Sequence, residues 1–188
     1  MKSIENPRYS RCFAVVMCLS VMSTLPVAAV SRPSPRDGKP HAKPDPVFVK
    51  VVVDLRSRTR LAVVLPSRLP DLGQGRTKLY ASLSEATPRG YEIVLGFTPD
   101  CSGGTACRIG TIGARMVAAP QVQLEGKAVT LGNGTAGWFA PATCGASCSD
   151  SLVTWRDGET ERFVGIKAAD EKAVIALADA VASGARVR

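Results

Sequence analysis

Apolar and polar positions alternate through much of the second half of the chain, the mark of strands that bury one face. In Gly90-Tyr-Glu-Ile-Val-Leu-Gly-Phe97, residues Tyr91, Ile93, Leu95 and Phe97 fall on one side. Residues 127–131 and 137–140 form a pair across Gly132-Asn-Gly-Thr-Ala136, where Asn-Gly is a strong hairpin signal. A second hairpin joins 151–156 to 160–167 through Asp157-Gly158. There Leu152, Thr154 and Arg156 share one face, Val153 and Trp155 the other, and Phe163 and Val164 begin a buried patch. Shorter strands are expected at 61–65, 79–83 and 121–124, and residues 109–118 read as a strand or a poor helix.

Two stretches change period. Asp45-Pro46 is a helix start, with Phe48, Val51, Val52 and Leu55 at helical spacing behind it. The β-branched run from Val49 to Val53 pulls towards a strand, but the spacing predicts a helix over 46–57. The second stretch is residues 169–183, where Val174, Leu177, Ala178 and Val181 line one side. Asp170 and Glu171 sit at its positive end, and Gly184 stands at its stop. The pattern is that of an α+β domain: a mainly antiparallel sheet with an N-terminal helix and a C-terminal helix packed on one face.

Residues 1–29 do not belong to that domain. Lys2, Arg8 and Arg11 precede an apolar run that ends at Pro26, and Val27-Ala28-Ala29 suits a cut after Ala29. This is the layout of a signal peptide. Residues 30–45 form a basic linker rich in proline, and 46–184 the single domain. No later run is apolar enough to span a membrane once the signal is removed. The chain carries a formal charge of +8; without residues 1–29 it keeps 21 basic and 15 acidic residues. No aromatic residues interleave with the cations, so nucleic acid is not expected as a partner.

Export changes how the cysteines read. Cys12 and Cys18 leave with the signal, and Cys101, Cys107, Cys144 and Cys148 remain. In an oxidising compartment, four thiols in two short Gly/Ser-rich loops favour local disulfides, Cys101 with Cys107 and Cys144 with Cys148, over crossed pairs. The rival is a four-cysteine zinc site, which the wide first spacing disfavours.

The chemistry-bearing motifs are weak. Gly132-Asn-Gly-Thr-Ala-Gly137 matches a dinucleotide fingerprint, but a strand follows where a helix is needed. Ser147 lies in an incomplete nucleophile elbow, and the only histidine, His41, is in the linker. Neither a cofactor nor a metal is expected. Glu92, Asp100, Asp150 and Asp157 fall near strand ends, where some could meet as a carboxylate pair. The disulfide-clipped end of the sheet is the candidate ligand site, with Tyr91, Asp100, Trp138, Ser147 and Asp150 as its residues. Against that, a chain this poor in aromatics needs Trp138 and Trp155 for its core.

Leu65-Pro-Ser-Arg-Leu-Pro70, the Gly90–Gly96 strand, the two cysteine loops, Gly137-Trp-Phe and the Trp155…Gly158 hairpin resemble a family of small exported bacterial proteins of unknown function, over roughly residues 62–183. The ending is also similar to extracytoplasmic sensor domains of anti-sigma factors. The first resemblance implies export and no particular activity. Together the residues point to a periplasmic or secreted protein that binds an envelope component or a small ligand without catalysis. A carboxylate-dependent hydrolase and a purely structural envelope protein are the alternatives. N-terminal sequencing of the exported protein is expected to begin at Val30; a start at Met1 would remove the reading of residues 1–29 as a signal.

Overall fold

A computed structural model describes residues 43–72, 75, 77–102, 104, 106–117 and 124–187. The expected signal, most of the linker with His41, and residues 121–123 of an expected strand lie outside them.

The chain enters through Asp45, whose carboxylate accepts from the Val47 amide at 3.0 Å and the Leu69 amide at 3.1 Å. That cap starts a 3-10 turn, Pro46–Phe48, which runs into α1, Val49–Arg58. The β-branched run is helical here because Phe48, Val51 and Leu55 bury one stripe, which outweighs a propensity of tenths of a kcal/mol per residue. Next come β1 (Val63–Leu65), β2 (Tyr80–Thr87), β3 (Gly90–Gly96) and β4 (Arg108–Met116). They are followed by β5 (Lys127–Thr130), β6 (Ala136–Ala140), β7 (Asp150–Asp157) and β8 (Thr160–Lys167). The chain closes with α2 (Glu171–Ala182) and β9 (Ala185–Val187).

Seven strands form one antiparallel sheet in the order β2-β3-β4-β8-β7-β6-β5, and β1 pairs with β9 in a second. The α+β, mainly antiparallel expectation therefore holds. Of the expected stretch 109–118, residues 109–116 are a strand and not a helix because both edges are used, by β3 on one side and β8 on the other; residue 118 lies outside the described residues. Both hairpins close where left-handed backbone is needed: Gly134 has φ +83° and Gly158 φ +62°. Phe97 lies beyond the end of β3 and is exposed, not part of the buried row. The pairing of β9 with β1 had no sequence signal, since three residues are too few to show a period.

Register separates the faces of the large sheet. Ile93 aligns through Ile112 with Val164 and Val153, and Tyr91, Leu95, Ala114 and Trp155 share their face. These join Val174, Leu177 and Val181 of α2, and Phe48 and Leu55, in one buried cluster. Trp155 is thus a core residue, as expected. Trp138 is not: it pairs with Thr154, alternates to the opposite face and is half-buried. Phe163 also faces that way, and only Val164 belongs to the core.

Tyr91 and Arg162 bring polar groups into the core side next to β1. Tyr91, 3% exposed, accepts from the Val64 amide at 3.4 Å through its hydroxyl. Burial pushes its phenol above the usual range, against the pull of nearby Arg162. Arg162, equally buried, donates to the Ala62 carbonyl at 3.1 Å and to Asp157 at 3.3 Å. Both residues therefore tie the large sheet to the segment of β1. Among the described residues no helix is long and apolar enough to cross a membrane.

Leu177 is fully buried in α2, so Leu177→Ala is expected to destabilise the fold by about 2–5 kcal/mol in urea titrations. A loss below ~1 kcal/mol would mean that the helix does not seal this core.

A candidate ligand groove between the clipped loops

The disulfides join Cys101 to Cys107 and Cys144 to Cys148, with Cα atoms 5.7 and 4.0 Å apart. The pairing is local, as expected. The first clip folds back on the end of β3, where the Phe97 amide donates to the Cys107 carbonyl at 3.0 Å. The Ser82 hydroxyl of β2 donates to the Cys101 carbonyl. Gly96 makes this approach possible: a Cβ there would lie 2.7 Å from that of Cys101.

The second clip is bracketed by Thr143 and Ser149. The Ser149 amide donates to the Thr143 carbonyl, and the Thr143 amide to the Ser149 hydroxyl, each at 2.9 Å. Beneath it the buried Ser151 hydroxyl accepts from the Ala142 amide at 3.0 Å and donates to the Ala169 carbonyl at 2.6 Å. Ala168, held at φ +52°, donates its amide to the Ser149 carbonyl at 3.1 Å. The clip is thereby tied to the turn that leads into α2.

Strands β4 and β7 both pair antiparallel with β8, so they run parallel and begin at the same end of the sheet. Arg108 follows Cys107 directly, and Asp150 comes two residues after Cys148. The two meet across β8, with Nη2 of Arg108 3.0 Å from Oδ1 of Asp150. The Asp150 side chain is only 7% exposed. Neither Oδ1 of Asp150 nor Nε of Arg108 has an aligned hydrogen bond. Burial pushes the Asp150 carboxyl above the usual range, while Arg108, Lys167 and the Thr111 hydroxyl hold it down.

Beside this pair the open sheet face sinks into a groove of about 530 Å³. Its floor is the row Leu152, Gly165, Thr111 across β7, β8 and β4. Gly165 carries no side chain because a Cβ would lie 3.0 Å from both Asp150 Oδ2 and Thr111 Oγ1. The next row supplies Thr154, Phe163 and Glu92. Arg115 closes the far end: its guanidinium binds the buried Glu161 carboxylate, with Nε at 2.7 Å, and lies 5.8 Å from the Phe163 ring centre. Each of the groove's two arginines thus has its own carboxylate.

The expected site residues are only partly gathered here. Asp150 lines the groove, and Ser149 carries the second clip to its edge. Ser147 is exposed at the tip of that clip. Trp138 shares the open face, one strand beyond Thr154. Asp100 is exposed in the turn before Cys101 and does not line the groove. Tyr91 is buried on the other face. Arg108, Thr111, Leu152 and Phe163 were not foreseen. A signal for Arg108 existed: each clip is followed, within two residues, by a charge of opposite sign at a strand start. Glu92 and Asp150 line the same groove but do not meet. Four residues along the strand and three strands across put their backbones roughly 20 Å apart. Asp157 is at the opposite hairpin, engaged by Arg162 and Arg186. Among the described residues no cluster of three or more His, Cys, Asp or Glu could hold a metal.

No protein-family model, curated protein or solved structure matches this chain.

The raised Asp150 carboxyl has a sign that can be checked. A folded-state value above the unfolded one adds stability below the unfolded value, and loses it as pH rises through the folded value. Carboxyl 13C NMR is expected to place Asp150 above 3.8, and Arg108→Gln to move it higher, because the cation holds it down. Asp150→Asn should lose less stability than wild type as pH rises from about 4 towards neutral. A midpoint at or below 3.8 would contradict this account of the site.

Proposed function

We propose that the protein is an exported, non-catalytic binding module that takes an envelope component or small ligand in the groove between its two clipped loops. The observation that carries this reading is the Arg108–Asp150 pair at the roots of both clips. Two covalent loops converge on one ion pair above a glycine floor. Structural ion pairs also shift carboxyl groups, but a destabilised carboxylate in a groove is where binding chemistry is commonly found. With α1 and α2 both taken to cover the core face, the other face is left for a ligand. The layout of residues 1–29, the disulfides and the resemblance to small exported proteins support a periplasmic or secreted location.

A hydrolase using paired carboxylates has less support. Such pairs work at separations of about 5–10 Å, and Glu92 and Asp150 are too far apart for that. The structural alternative would leave the groove without use.

Capture from envelope extract on immobilised protein tests the reading. Arg108→Gln with Asp150→Asn is expected to weaken retention of the captured component by about ten-fold or more, the scale of one charge-assisted hydrogen bond. Cys144→Ser with Cys148→Ser should weaken it too, whereas Glu159→Gln at the opposite turn should not. Equal retention by all four proteins would remove the groove as the site.

A further inference from the structure

The chain's charge is unevenly placed. Residues 30–60 hold eight Lys or Arg against three Asp, whereas residues 61–188 hold thirteen Lys or Arg against twelve Asp or Glu. Almost all the excess outside residues 1–29 therefore lies in the stretch that ends with α1. At about 100° per residue, Val49 and Val53 point to one side of α1, opposite the buried Val51 and Leu55. They are 62% and 66% exposed, the two largest values among the exposed large apolar residues. Lys50 and Arg56 flank Val53 at about 60° on either side. Beside the valines, Pro44, Pro46 and Val52 extend the apolar surface into a groove of about 730 Å³ rimmed by Lys43, Arg56 and Arg186. Among the described residues no carboxylate lines it. Among the described residues Lys43, Lys50 and Arg56 make no ion pair.

We propose that this face of α1 docks on an anionic lipid bilayer. Val49 and Val53 enter the boundary between headgroups and acyl chains, and Lys43, Lys50 and Arg56 lie on lipid phosphates. An outward apolar pair between cations is the arrangement of an interfacial helix, and the cations supply the attraction that two valines cannot. Other occupants fit less well. The chain's own residues 30–42 carry Arg32, Arg36 and Lys39 against Asp37 and would meet a rim of their own sign. A second copy would set cation against cation across a two-fold contact. Nucleic acid would leave the valines against phosphates with no aromatic residue to stack on a base.

Co-sedimentation of the full protein with vesicles tests this. One set is phosphatidylcholine; the other contains about one-third phosphatidylglycerol to supply negative surface potential. Binding is expected only to the anionic set, and to fall as salt is raised. Lys50→Gln with Arg56→Gln should weaken it by about 25-fold, from about five-fold per cation. Val49→Ser with Val53→Ser should weaken it as well. All four residues are exposed, so each pair of changes should leave the melting curve unchanged, and each pair checks the other if one does not. Both variants keep everything before α1. Undiminished binding by them would assign the affinity to that segment and overturn the proposal. So would no binding, equal binding to neutral vesicles, or tighter binding to polyglutamate than to anionic vesicles, which would make an acidic protein the occupant.

Discussion

Strand β8 is hydrogen-bonded along both edges, to β4 and to β7, and that double pairing decides where the rest of the molecule lies. It forces β4 and β7 to run parallel, so the loops that precede them emerge at one end of the sheet. Neither loop could impose this by itself. Disulfides that bridge sequence separations of only 6 and 4 constrain only their own backbones. What brings them together is the ladder between them, and the Arg108–Asp150 contact forms because β8 keeps its two roots one strand apart on either side.

The two faces of the sheet use polar groups differently. On the core side Arg162 and Tyr91 reach from the large sheet to the segment of β1, where they hydrogen-bond the Ala62 carbonyl and the Val64 amide. On the open side, charges are paired across strands, Arg108 with Asp150 and Arg115 with Glu161. Burial still disfavours the Asp150 carboxylate, and Oδ1 of Asp150 lacks an aligned hydrogen bond. An apolar residue pair of similar volume could fill that place at less cost in desolvation. Removing one partner alone would leave the other charge buried and unpaired, so the two residues depend on each other.

The charge asymmetry gives the chain a second distinct region. From residue 61 onward it is nearly neutral and carries the sheet and the groove; α1 and the stretch before it carry the excess of cations. The groove on the open face and the basic, apolar face of α1 are built from different residues. One can be altered without touching the other.

Period and punctuation made most of the elements legible. Alternation marked β3, β7 and β8, the Asn133-Gly134 and Asp157-Gly158 turns marked the hairpins, and the stripe from Val174 to Val181 marked α2. The local disulfides were readable because each pair is separated by only a few Gly, Ser and Ala residues. The candidate site was readable only in part. Asp150 was visible as an acid at a strand end, but its partner Arg108 was not, because their contact spans 42 residues of sequence and depends on register across β8. The faces on which Tyr91 and Trp138 lie were not readable, for one reason. An aromatic residue in an alternating strand is on one face or the other, and which face meets the core is decided by the neighbours it pairs with. Local chemistry along the chain thus determined which segments are strands, helices and turns. The side of the sheet that is buried, the meeting of the two clips and the groove between them were settled by long-range hydrogen bonding, which no single stretch of residues contains.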